Sequence, residues 1–196
     1  MSDCLVKCDC RVISEPMVKA DYGIEKIYES IVEIAGVGKK RNHVTLDYSN
    51  SIGVNLSEGD IIYIEGDIRS IRHRTEMDMS PLKVYLFANT IEILPSDSEL
   101  SKNSIELTGT VSNKPYIRKA FNNNKTDVAE LTVKLMRTES RFSYIPVIAW
   151  NSLARLTVSL QKGESITLKG NIQSHYTSNG RLMIEVSAYS ISKIDE

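Results

Sequence analysis

No apolar run in the 196 residues approaches the ~20 that a membrane helix requires. The N-terminus "MSDCLVKCDC" has neither the basic start nor the long apolar core of a signal peptide. Both absences point to a cytoplasmic protein with no membrane partner. Cysteine is scarce. Cys4, Cys8 and Cys10 are the only three, and without a CxxC pair or a nearby His they do not supply the four ligands of a structural zinc. They read instead as small hydrophobes, with Cys8, Cys10 and Val12 alternating on the buried face of a first strand. An odd number of free thiols also suits a reducing cytosol. His43, His73 and His175 are dispersed, no Ser/His/Asp or Cys/His set is suggested by spacing, and "GVGK" lacks the Ser or Thr of a phosphate-binding loop. The expectation is therefore a protein that is not an enzyme and uses no cofactor, no metal and no small-molecule substrate.

Composition is otherwise ordinary, with 25% charged and 41% apolar residues, as in a soluble globular chain. The net charge of −1 hides an asymmetry. Residues 1–97 carry 11 Lys or Arg against 16 Asp or Glu, whereas residues 98–196 carry 13 against 9. A basic second half admits a polyanionic partner, although such differences also arise on solvated faces without one.

The chain repeats itself. "GDIIYIEGDIRS" (59–70) and "GESITLKGNIQS" (163–174) align without a gap, sharing both glycines, an Ile and the final Ser. "RVISEP" (11–16) aligns with "TVSNKP" (110–115), and "LKVYLFANTIEIL" (82–94) with "LMIEVSAYSISKI" (182–194). Each copy is one unit of about 85 residues. Between them "PSDSELSKNS" has the composition of a linker.

In the second copy "IELTGTV", "VAELTVKLM", "YIPVIAW", "ESITLKGNIQSHY" and "LMIEVSAYSI" alternate or are β-branched, which predicts five strands. Leu153, Leu156 and Leu160 recur at helical spacing after a possible N-cap at Asn151 or Ser152, and Gly163 stands where a helix would end. Three strands, a short helix and two strands is the layout of the OB-fold, a Greek-key barrel that binds oligonucleotides or oligosaccharides. The expected class is all-β with one short helix per domain, arranged as two tandem five-stranded OB-fold barrels. Residues 1–95 form the first, divergent copy, 96–104 the linker and 105–196 the second. Gly66 and Gly170 fall mid-strand, where a small barrel bends sharply.

"GTVSNKPYIR" (109–118), "IPVIAWNSLA" (145–154) and "KGESITLKGNIQSHYTSNGRLMIEVSAYSI" (162–191) resemble the bacterial and phage single-stranded DNA-binding proteins. The likeness covers nearly all of the second copy and is weaker over 8–94. It implies sequence-independent binding of single-stranded DNA, protecting or organising the strand in replication, recombination or repair. It also implies stacking aromatics at Trp150 and Tyr144, with Tyr176 one residue short of a third such place. Alternation alone leaves Trp150 on either face, since Val147 and Ala149 alternate with Ile148 and Trp150 and both sets are apolar. Base stacking contributes about 1–3 kcal/mol per base and tolerates any sequence.

Arg118 and Arg181 match basic places of the family. Lys114, Lys119 and Arg141 lie in or beside predicted loops, interleaved with Tyr116, Phe121 and Phe142, and loop cations of this kind are also commonly just solvated. In the first copy Ser49 stands at the place of Trp150 and His43 at that of Tyr144, so stacking there is expected to be poor, although Lys19, Arg72 and Arg74 offer phosphate contacts. The family usually wraps DNA around four OB-folds, so a chain carrying two would complete the set as a homodimer. The family's acidic C-terminal tip is not matched, because the sequence stops at "SKIDE". The resemblance places the protein in the cytosol, at the nucleoid or in a phage-infected cell. A rival reading is an OB-fold adaptor that bridges proteins with little or no nucleic-acid binding, and no feature separates DNA from RNA.

Overall fold

The computed structural model describes residues 4–38, 40–72, 82–120 and 123–194, the side chains of 120 and 123–125 excepted. The chain divides into two compact units. One comprises Leu5–Ser104 together with Gln173–Ile184, and the other is built on Ile105–Ile172 and Glu185–Glu196.

In the first unit the strands are β1 (Cys4–Val12), β2 (Met17–Asp21), β3 (Lys26–Ala35), β4 (Arg41–Ser49), β5 (Ile61–Ile71) and β6 (Lys83–Leu94). Pairings β1–β3, β3–β4, β4–β6, β6–β5 and β5–β1 close a five-stranded barrel in which only β4–β6 is parallel. Val6, Cys8, Cys10 and Val12 point into it with Val32, Ile34, Val44, Leu46, Ile62 and Ile64, so the cysteines are buried hydrophobes. Burial pushes the Cys8 thiol up to about 12, which leaves it protonated and inert.

The second barrel repeats the plan with β7 (Asn103–Val111), β8 (Tyr116–Ala120), β9 (Asn123–Thr138), β10 (Arg141–Trp150), helix α1 (Asn151–Thr157), β11 (Ser165–Tyr176) and β12 (Leu182–Lys193), the stretch Gln173–Ile184 at the β11–β12 hairpin being grouped with the first unit. The closing cycle is β7–β9–β10–β12–β11–β7, with β10–β12 parallel. This is the tandem OB-fold expected. Ile166, Leu168, Gly170 and Ile172 face inward along β11, as their alternation requires.

Three details differ from the expectation. Each barrel has a sixth short strand, β2 or β8, hairpinned onto its neighbour. "MVKAD" and "YIRKA" are mainly exposed edge segments and carry no apolar alternation to announce them. Helix α1 starts without a side-chain cap: Trp150 occupies the N-cap position, Asn151 takes φ 53°, and the helix ends at Val158 rather than at Gly163, which lies in the following turn at φ 96°. In the first unit the equivalent place holds one 3-10 turn, Asn50–Ile52, where Ser49 accepts from the Ser51 amide and Gly53 closes the turn at φ 77°. With about three fewer residues there than in the second copy, the connection has no room for a full helix.

Gly66 and Gly170 mark matching points of close approach. A Cβ on Gly66 would lie 2.1 Å from the Phe87 carbonyl oxygen, and one on Gly170 would lie 2.6 Å from that of Ser187. The register of β5 on β6 shifts between Glu65 and Gly66, so the glycine sits at a bulge.

Candidate nucleic-acid interface

Burial along β10 settles which of its two apolar series is core. Ser143, Ile145, Val147 and Ala149 are buried, and in the alternate series Phe142, Tyr144 and Trp150 are exposed, with Pro146 half-buried and Ile148 covered. Antiparallel register sets Met136 opposite Phe142, Lys134 opposite Tyr144, Glu130 opposite Ile148 and Val128 opposite Trp150. The hairpin of β8 adds Tyr116 beside Glu130 and Arg118 beside Val128. Directly paired residues share a sheet face, so one face presents Phe142, Tyr144, Trp150, Tyr116, Arg118 and Lys134.

Polar contacts hold this face in place. Trp150 is 38% exposed, and its Nε1 donates to Ser187 Oγ on β12 at 3.2 Å. Fixing the ring edge leaves part of its surface free for contact. Lys134 Nζ lies 3.7 Å from the centroid of Phe142, placing a cation within the aromatic row. Glu130 takes two partners, pairing with Arg118 and accepting from the Tyr116 hydroxyl. The hydrogen bond to Glu130 raises the Tyr116 pKa above its ordinary value, so the phenol stays a donor.

Other sequence candidates lie elsewhere. Lys119 is on the opposite face of β8 from Arg118, pairing with Asp127, whose carboxyl also binds Arg155 and is held below its usual range by these two cations. Lys114 is exposed in the connection from β7 to β8, and Arg141 is exposed at the start of β10 beside a register shift. Tyr176 and Arg181 belong to the first unit, where the Tyr176 hydroxyl meets His43 Nδ1 at 3.3 Å and Arg181 Nη2 donates to the Leu82 carbonyl at 2.7 Å. Arg72 is exposed just past the end of β5. Arg74 and Phe121 lie outside the described residues.

Lys19 is engaged in a different way. On the outward face of the first barrel its Nζ sits 2.6 Å from Asp47 Oδ2 and 2.8 Å from Glu29 Oε2, and Lys83 also reaches Glu29 at 2.7 Å. Arg69 binds both oxygens of Asp67 and stacks on Phe87 at 3.5 Å. Cations and carboxylates on this face therefore neutralise one another. Asp47 is 2% exposed, and burial pushes its carboxyl up against the partial compensation from Lys19. Its Oδ1 has no hydrogen-bond partner among the described residues. A phosphate arriving here would have to displace these pairs.

Several members of the second unit's face were missed from sequence. Tyr189 is 61% exposed on the same outward series of β12 as Ser187, beyond the Ala149–Ala188 pair. The signal was present: buried Val186 and Ala188 force Ser187 and Tyr189 outward. Met136, Lys134 and Glu130 could not be placed on this face without the β9–β10 register.

Residues 102–192 match the Single-strand binding protein family. Among curated proteins no match is found. Among solved structures, the wild-type single-stranded DNA binding protein from Thermus aquaticus superposes with a TM-score of 0.78 at 18% identity, over 98% of this chain and 93% of that one. A deletion mutant of the same Thermus protein gives a TM-score of 0.78 at 18% identity, over 98% of this chain and 95% of that one. At this identity the likeness establishes the fold, two OB barrels in one chain, while the family match rests on the half that carries Trp150. The second barrel is thus the part of this chain that is similar to the Single-strand binding protein family, over residues 102–192.

Proposed function

We propose that this protein binds single-stranded DNA without sequence preference through the outward face of β8, β9, β10 and β12 of the second barrel. The observation that carries the reading is the single exposed series Phe142, Tyr144 and Trp150 along β10, flanked by Lys134 and Arg118. Flat rings accept any base, and interleaved cations follow the phosphates. Trp150, Tyr144, Phe142 and Tyr116 supply stacking surface, and Tyr189 extends it. Lys134, Arg141 and Lys114 supply charge, and Arg118 adds less because Glu130 pairs with it.

The first barrel contributes little through the centre of its own face, where Lys19 is held by Asp47 and Glu29. The role that follows is protection or organisation of single strands in replication, recombination or repair, within the cytosol. Two barrels per chain fit a homodimer presenting four. Light scattering tests the assembly: a strictly monomeric 22.0 kDa particle at micromolar concentration overturns it.

Trp150 is the only Trp, so its fluorescence during titration with oligo-dT is a single-site reporter. Quenching that weakens as salt rises is the expected result. No quenching together with no gel shift at low salt would exclude DNA binding and favour the protein-adaptor reading. Competition with a matched RNA oligomer measures the preference between the two polymers.

A further inference from the structure

We propose that His43 and Tyr176 form a second base-stacking platform, on the unit made of Leu5–Ser104 and Gln173–Ile184, with Arg41 as its phosphate contact. The inference rests on the single-stranded DNA reading above. From sequence, Tyr176 is grouped with Trp150, and His43 counts as a poor replacement for Tyr144. Their positions give both a different use.

The segment Gln173–Ile184 is tied down at two separate points of this unit. Asn42, nearly fully buried, accepts from the Ser174 amide through Oδ1 at 3.1 Å, and its Nδ2 reaches the Ala35 carbonyl at 3.5 Å. Arg181 donates to the Leu82 carbonyl. Between these points the turn is closed by its own bonds, from the Thr177 amide to the Arg181 carbonyl and from the Gly180 amide to the Thr177 carbonyl, each 2.9 Å. Tyr176 is thereby delivered to His43 rather than left on a free loop.

Their geometry suits stacking. The ring centroids are 6.3 Å apart with planes at 75°, an edge-to-face contact, and Tyr176 remains 58% exposed. An edge contact leaves the broad face of an aromatic ring available to a third flat group. Arg41 shares the outward series of β4 with His43, and its pairing with Glu33 is long at 3.6 Å. Farther along the same series stand Asp47 and Ser49, which offer no ring. The His43 end of β4 therefore supplies, with a ring from a distant part of the sequence, what the Ser49 end lacks. An exposed ring on the same face as a cation held by a 3.6 Å ion pair matches a nucleobase and its phosphate.

The test uses the full chain. Oligo-dT carrying 5-iodouracil is bound, irradiated and mapped by peptide mass spectrometry, and crosslinks are expected at Tyr176 or His43 as well as near Trp150 and Tyr144. In parallel, Tyr176→Ala should weaken an oligomer of about 30 nucleotides by about 10-fold and leave one of about 8 nucleotides, within the span of a single OB-fold, unchanged. Tyr176→Phe should retain affinity, because the ring and not the hydroxyl stacks. Adding His43→Ala to Tyr176→Ala should cost less than the product of the two single losses, since the pair is one platform.

A bound strand that crosslinks only around Trp150 and Tyr144 overturns the proposal, as does a Tyr176→Ala protein that binds the long oligomer like wild type. If the wild-type chain binds no oligo-dT at all, it is the underlying single-stranded DNA reading that fails.

Discussion

Replacing Glu130 by Gln should make this protein bind single-stranded DNA more tightly. Glu130 sits on the proposed stacking face, paired with Arg118 and accepting from Tyr116. In the native protein the carboxylate cancels the guanidinium, so Arg118 releases little counterion from a bound strand. Glutamine keeps an acceptor for Tyr116 and removes the charge. With a phosphate about 8 Å away and an effective dielectric of about 40, deleting one negative charge is worth about 1 kcal/mol, close to a fivefold gain.

The freed Arg118 also adds one phosphate contact, which steepens the dependence of log K on log salt by about 0.7 for a single strand. Between roughly 50 and 200 mM salt, the advantage of the variant over wild type should shrink by about 2.6-fold. Quenching of Trp150 by oligo-dT at several salt concentrations measures both quantities. The exposed pair contributes about 0–1 kcal/mol to stability, so folding is not at stake. A variant that binds more weakly, or one with an unchanged salt slope, would refute the assignment of this face to phosphate contact.

Trp150→Ala should lower affinity by about 1–3 kcal/mol, read by anisotropy of a labelled oligomer because the intrinsic reporter is gone. Gly170→Ala brings a methyl within 2.6 Å of the Ser187 carbonyl oxygen and 2.8 Å of Val186 Cγ1, and should destabilise by about 1–3 kcal/mol in urea unfolding. Gly66→Ala, at 2.1 Å from the Phe87 carbonyl oxygen, should cost more than Gly170→Ala. The Asp127 carboxyl is held below its ordinary range by Lys119 and Arg155, so its stabilising contribution is complete above the normal Asp pKa and is lost as pH falls through the lowered folded value. Asp127→Asn should therefore lower stability at neutral pH and flatten its acid-side decline, and equal slopes in the two proteins would contradict the pairing.

The two-barrel plan was legible because repetition and strand alternation are properties of neighbouring residues. Glycines and apolar positions recur where local geometry needs them. The aromatic face was only half legible. Along 144–150 both alternating series are apolar, and only the burial of Ile145, Val147 and Ala149 shows Trp150 to be outward. Lys119 differs from Arg118 by one residue and so by a sheet face, which a loop reading cannot detect. Tyr176 is adjacent in sequence to residues of one unit yet packs in the other, and that choice depends on Asn42, over 130 positions away. The helix start misled because leucine spacing speaks for a helical face, while the backbone at Asn151 is set by the exit from β10.

Each barrel is closed by a short parallel seam, Leu46–Leu86 to Tyr48–Ala88 in the first and Val147–Val186 to Ala149–Ala188 in the second. Parallel partners need a long crossover, so these seams join residues well separated along the chain, although the β1–β5 and β7–β11 pairings close still longer stretches. In the second barrel the Trp150 to Ser187 hydrogen bond spans that seam. Under the proposed function a base stacked on Trp150 would bear on the joint that shuts the barrel, so a bound strand would stabilise the closed form.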